Sequence, residues 1–221
     1  MRRLDALVAS KPACCRVTTS LLLLILGMKP GMRTAAILLA LSGPRFSEAL
    51  VAPVTTLNQE AYSGRWFQMY TTRAALDSYE LRGQCITTDI HVNNEAEGTL
   101  SLLNTQTVNS TNPPFFSITG TIYSTSAPGK YHVVFNPASW FQHTIVALGP
   151  LDAFGHYTYS IGTNQHNNEN DYLIVLARDP ANWDEAACLA LIQEYNLPPP
   201  VKIIQGENCS YSEFANQTHA N

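Results

Sequence analysis

Three cysteines beyond residue 50 and five histidines between residues 91 and 166 are the side chains of this chain with the widest chemical range. A hydrolase built on a strained serine would need G-x-S-x-G, a nucleotide site a glycine loop closed by G-K-S or G-K-T, a redox dithiol C-x-x-C, and a zinc protease H-E-x-x-H. None of these patterns occurs. His91, His132, His143, His156 and His166 stand on separate segments without ligand spacing, so no metal and no cofactor is expected. His143 and Tyr157 could pair as acid and base, but nothing in their spacing argues for it. With catalysis short of parts, the question becomes what elements these residues belong to.

The first 49 residues read as an address. Two apolar runs, SLLLLIL at 20–26 and TAAILLAL at 34–41, follow basic residues and are each too short to span a bilayer as a helix. Ser47 and Ala49 form a cleavage site before Leu50, and Met28 or Met32 could be the true start of a secretory signal. A membrane anchor or a two-part organelle signal is the alternative. Residues 1–49 are therefore taken as a leader and 50–221 as one domain, which at 45% hydrophobic residues overall can bury a sizeable core. The leader holds seven of 13 basic and two of 17 acidic residues, leaving the domain six basic against 15 acidic, a net charge of −9. Such a domain repels polyanions, so nucleic acid is not an expected partner. Cys14 and Cys15 depart with the leader. Cys85, Cys188 and Cys209 then permit one bridge and one spare thiol, and Asn109, Asn208 and Asn216 head glycosylation sequons, a combination that suits an oxidising destination.

After Leu50 the chain reads as strands. β-rich runs with period-two alternation lie at 65–71, 84–92, 99–105, 115–123, 130–135, 143–148, 156–161 and 171–177, separated by Gly-, Pro- and Asn-rich turns. Eight such strands close into an up-and-down antiparallel barrel with room for one small ligand, or form a sandwich. One helix follows, with Asn182 as cap, Glu185 as its capping-box partner, and Cys188, Leu191, Ile192 and Tyr195 on the face that packs outside the barrel. Pro198, Pro199 and Pro200 stop it, and VKIIQ at 201–205 can add an edge strand.

The order of motifs resembles the lipocalin family over residues 53–209. Gly64-Arg65-Trp66 is similar to the G-x-W motif of the first lipocalin strand, and YLIVLARDP at 172–180 to the last strand with its arginine. With RGQCI at 82–86 and HTIVAL at 143–148, the resemblance is to the group of apolipoprotein D and the bacterial outer-membrane lipocalin. It implies an all-β, eight-stranded antiparallel up-and-down barrel of the lipocalin (calycin) type with one C-terminal helix outside, and a Cys85–Cys209 bridge clamping the tail. Cys188 is then an inert buried thiol on the apolar face of the helix. One motif departs: where lipocalins carry T-D-Y, this chain has Leu151-Asp152-Ala153-Phe154, keeping the aspartate alone, which predicts a less tightly bonded closed end.

Physics supplies a role for the opening motif. An indole fills the base of a barrel, a guanidinium stacks on its face, and a glycine lets the chain pass close by, so Gly64, Trp66 and Arg178 are assigned to closure. If Trp66 and Arg178 point inward, alternation puts Gln68, Tyr70, Tyr172, Ile174 and Leu176 inside as well. The resemblance adds Leu102, Asn104, Ile118, Val133, Phe135, His143, Ile145, Tyr157 and Tyr159. Such a lining suits an elongated or ring-shaped lipophile with a polar end, and implies a secreted monomeric carrier of a fatty acid, sterol, retinoid-like molecule or tetrapyrrole. The alternative is a lipocalin-fold enzyme, an isomerase or de-epoxidase acting on a lipid or carotenoid in the barrel. Hairpin parity places Pro113, Pro114, Phe115, Trp140 and Phe141 around the mouth, where aromatics could guide a lipid or make transient membrane contact; ordinary surface is the plainer reading for Trp140.

Overall fold

The computed structural model describes residues 52–94, 97–136, 139–166 and 169–213. The expected leader and Asn216 lie outside them. Eight strands run β1 (Gly64–Thr71), β2 (Gly83–Asn94), β3 (Thr99–Val108), β4 (Phe115–Ser124), β5 (Lys130–Asn136), β6 (Ser139–Leu148), β7 (Tyr159–His166) and β8 (Glu169–Ala177). Each pairs antiparallel with its sequence neighbour, and β8 returns to β1, so the sheet closes on itself. A short strand β9 (Val201–Lys202) pairs with Tyr70 and Thr71, on the part of β1 that β2 does not cover. One-turn helices α1 (Gln59–Tyr62) and α2 (Arg73–Asp77) flank β1, and α3 (Glu185–Glu194) follows β8.

The pleat sorts side chains to two cores. Trp66, Ile90, Leu100, Leu102, Ile122, Val133, Ile145 and Leu176 pack inside the barrel. Met69, Val146, Ile161, Leu173 and Val175 pack outside it, under Cys188 and Ile192 of α3. An ordinary up-and-down barrel leaves its outer face to water; here one arc of that face is apolar because a helix covers it. Leu191 and Tyr195 complete the expected packing face at its margin.

The cap of that helix differs from expectation. Asp184, not Asn182, accepts the amide of Ala187 at 3.0 Å, a charged acceptor placed two residues further along the chain. Glu185 is thereby released from a capping box. Its carboxylate accepts instead from Lys202 Nζ at 2.8 Å and from the Tyr70 hydroxyl, joining α3 to β9 and β1. The tail then crosses the outer face of β1 and β2, held by the Cys85–Cys209 disulfide, with Cα atoms 5.5 Å apart. Beneath it Arg65 makes a bidentate pair with the buried Asp89, both contacts at 2.7 Å, and donates to the carbonyl of Ser212.

Two strands are misplaced by pattern reading. β6 starts at Ser139 rather than 143, so Trp140 and Phe141 belong to a strand and not to a mouth loop. β7 spans Tyr159–His166 rather than 156–161, because ladders on both sides hold Gly162, Thr163, Asn164 and Gln165 extended although their polar run carries no apolar alternation.

Candidate functional site: the barrel cavity and its base

The base is closed by Trp66, fully buried, with its Nε1 donating to the carbonyl of Tyr62 at 2.8 Å. The Arg178 guanidinium lies 3.8 Å from the centre of the indole. Its nitrogens donate to the carbonyls of Arg65 at 2.9 Å, Ala61 at 3.1 Å, Ser63, and Tyr157 at 3.4 Å. Burial pushes the Arg178 pKa down to about 10, with Tyr62 and Asp152 pulling the other way, so the group stays cationic at neutral pH. Gly64 is required twice over. Its φ is +96°, and a Cβ there would stand 3.0 Å from Arg178 Nη1. Asp152, the aspartate kept from the third motif, accepts the amides of Phe154 at 2.9 Å and His156 at 2.8 Å. Those amides, His156 first, hold its carboxyl below the usual value.

Above the base lies a cavity of about 620 Å³, part of it open to solvent. Its floor is apolar: Ile90, Leu100, Ile122, Val133 and Leu176, with Tyr62 and Tyr131. Rungs nearer the mouth are more polar, with Gln68, Thr88, Asn104, His143 and Asn164 among Leu102, Phe135, Phe141 and Ile174. Thr88 donates to Asn104 Oδ1 at 2.7 Å. His143 Nδ1 lies 2.6 Å from Asn164 Oδ1, and Asn164 Nδ2 is 3.5 Å from the Tyr79 hydroxyl. With the Asn164 amide facing Tyr79, its Oδ1 must accept, so His143 carries its proton on Nδ1. Burial lowers the His143 pKa, keeping the ring neutral.

The connection from β1 to β2 folds partly over the mouth. Tyr79 stacks edge-on against Tyr172, ring centres 5.2 Å apart. Glu80 is only 4% exposed and accepts from Gln68 Nε2 at 2.7 Å and Thr71 Oγ1 at 3.1 Å, while among the described residues its Oε2 has no partner in hydrogen-bond geometry. Burial raises the Glu80 pKa, against the hydrogen bonds from Gln68, Thr71 and Tyr79.

Of the residues expected inside, Gln68, Leu102, Asn104, Val133, Phe135, His143, Ile174 and Leu176 come together on the cavity wall. Six do not. Tyr70 and Tyr159 face outward under α3. For Tyr70 the cause is a register shift between Gln68 and Tyr70, which inserts one residue and flips the alternation. On β7 it is Gly162 and Asn164 that oppose the inward Ile145 and His143, so odd-numbered Tyr159 points away. Tyr157 lies before β7, bridged to Leu151, with its hydroxyl accepting the Asn58 amide near the base. Ile145 is inside but fully buried in the packed floor. Tyr172 meets Tyr79 above the cavity. Ile118 stands opposite Asn104 yet is 48% exposed, because β5 pairs with β4 only from Thr121 onward.

Thr88, Ile90, Leu100, Ile122, Tyr131, Phe141 and Asn164 were missed. For Leu100, Ile122, Tyr131 and Phe141, extending period-two alternation from Leu102, Ile118, Val133 and His143 would have found them. Asn164 and Glu80 carry no such signal. Trp140, expected at the entrance, lies on the outer wall, 56% exposed and edge-on to His132, while Phe141 enters the cavity. Cys188 is buried on the barrel-facing side of α3, away from the cavity, and burial pushes its thiol up to about 12. Asn109 and Asn208 are exposed. Among the described residues no group of three His, Cys, Asp or Glu side chains could hold a metal ion.

No protein-family model and no curated protein sequence matches this chain. Solved structures do match it. Lobster apocrustacyanin A1 is 16% identical with a TM-score of 0.54, over 70% of this chain and 83% of that one. Insecticyanin from the tobacco hornworm Manduca sexta is 16% identical with a TM-score of 0.53, over 73% and 88%. The allergen Per a 4 from cockroaches is 17% identical with a TM-score of 0.52, over 72% and 94%. At these identities the likeness is one of fold: an eight-stranded antiparallel closed barrel with a C-terminal helix outside, the fold of the lipocalins.

Proposed function

We propose that this chain is an extracellular carrier that holds one small hydrophobic ligand inside its barrel, of the apolipoprotein D-like group of lipocalins. The observation that carries this reading is the cavity: apolar at its floor, ringed by uncharged polar groups toward its mouth, and sealed below by Trp66 and Arg178. Burying ligand surface on that floor drives binding at roughly 25 cal/mol per Å², while the few polar groups select among lipophiles. Gln68, Leu102, Asn104, Val133, Phe135, His143 and Ile174 are the proposed contacts. Export is supported by the leader over 1–49, by the disulfide, and by the exposed sequon residues Asn109 and Asn208, proposed to be glycosylated. An isomerase of the thiol type would need a sulfur in the cavity, and Cys188 packs on the far side of the wall.

The test is quenching of tryptophan fluorescence by a lipophile panel of retinol, a sterol, fatty acids and haem. Saturation near one ligand per chain is expected, and binding of none would end the carrier reading. Ile174→Trp should shrink the cavity and reorder the panel; an unchanged order would mean that β8 does not face the ligand.

A further inference from the structure

We infer that the ligand is a lipophile ending in a hydroxyl, such as a long-chain or polycyclic alcohol, taken in preference to a lipophilic carboxylic acid. This rests on the carrier reading and narrows it.

Charge is the first argument. Among the described residues, no lysine or arginine lines the cavity. The guanidinium of Arg178 lies on the indole of Trp66 with its nitrogens committed to main-chain carbonyls of the base. His143 is held neutral by burial. A carboxylate entering this space leaves water without meeting a cation, and an unpaired buried charge is among the costliest groups to desolvate.

Donor and acceptor count is the second. His143 Nδ1–H is spent on Asn164, which leaves Nε2 as an acceptor. One Gln68 Nε2 hydrogen is spent on Glu80, which leaves the other as a donor beside the acceptor Oε1. Asn104 receives the Thr88 hydroxyl on Oδ1 and keeps its Nδ2 hydrogens as donors. The wall therefore offers acceptors and donors together. A hydroxyl both donates and accepts and can satisfy either kind, whereas a carboxylate only accepts and opposes Nε2 and Oε1 with lone pairs. Behind Gln68 stands the Glu80 carboxyl, an acid and not a cation, which gives an anionic head nothing to pair with there.

Position is the third. Gln68, Asn104, His143 and Asn164 occupy the mouthward rungs, and the floor below them is aliphatic apart from Tyr62 and Tyr131. Asn164 is 2% exposed beneath Tyr79, so a head group there is not bathed by bulk water that could hydrate a carboxylate.

The experiment uses delipidated full-length protein at neutral pH and two matched pairs, dodecan-1-ol against dodecanoic acid and retinol against retinoic acid, with dodecane as the apolar reference. Each alcohol should bind at least about ten-fold more tightly than its acid, and dodecan-1-ol more tightly than dodecane. Asn104→Lys, which places a cation on the wall, should narrow or invert the order by strengthening the acids. Acids binding as tightly as alcohols would overturn the inference and leave carriage standing. Binding of neither pair, of dodecane, nor of any member of the wider panel would overturn carriage itself. Should Asn104→Lys fail to fold, the wild-type pairs still decide.

Discussion

The two ends of the barrel spend their polar groups in opposite ways. At the base, Arg178 donates to four main-chain carbonyls and Trp66 to a fifth, so each of these donors is matched within the protein. Toward the mouth, Asn104, Gln68 and His143 each keep hydrogen-bonding capacity facing the cavity. Matched groups in a dry place stabilise a fold; unmatched groups beside a hollow await something else. The base is thus the stability end and the mouth the recognition end.

Mutations can break or sharpen that contrast. Trp66→Ala should cost about 3–5 kcal/mol, because a fully buried indole leaves a cavity the closed sheet cannot collapse around. In a domain of this size thermal unfolding would shift down by roughly 10 °C or more. Arg178→Met keeps the packing but orphans the carbonyls of Ala61, Ser63 and Arg65, for an expected loss of about 2–3 kcal/mol by denaturant titration. A loss no larger than that of an exposed arginine would mean that the base is not organised by this group.

At the mouth the signs reverse. Burial raises Glu80 above its ordinary 4.5, so the folded chain retains a proton that the unfolded chain releases, and stability is greatest below that pH and falls as pH rises toward the folded value. Glu80→Gln keeps an acceptor for Gln68 and Thr71 while removing the ionisable oxygen. It should be more stable than wild type by about 1–2 kcal/mol at pH near 8, with the gap closing as the pH is lowered toward 4. A gap that is flat with pH would show that Glu80 does not titrate in its buried site. Smallest in stability is Asn104→Leu, expected within about 0.5 kcal/mol of wild type yet weakening a hydroxyl-ended ligand about ten-fold. If its effect on stability exceeds its effect on binding, the division between the two ends fails.

The base was more legible in the sequence than the mouth. Gly64, Trp66 and Arg178 lie at strand ends with residue types that have few other uses, and one motif at each end of the domain sufficed to pair them. The mouth required knowing where alternation slips. Tyr70 was placed inside by counting from Trp66, and the count is right as far as Gln68; one inserted residue then turns Tyr70 to the Trp183 side, where its hydroxyl meets Glu185. Tyr159 failed for the complementary reason: β7 starts later and its inward positions include a serine, a glycine and an asparagine, which carry no apolar signal.

Local patterning alone determined the strand count, the terminal helix and the acidic balance of residues 50–221, and the motif resemblance paired Trp66 with Arg178, because hydrophobic period, turn residues and charge are properties of neighbours along the chain. Only the tertiary structure decided which face Tyr70 and Tyr159 occupy, that the connection bearing Tyr79 and Glu80 folds over the cavity, and which polar atoms remain unmatched there. Those outcomes depend on cross-strand register and on segments that meet only after the barrel closes, and a one-residue slip in register exchanges inside for outside without altering the pattern on either side of it.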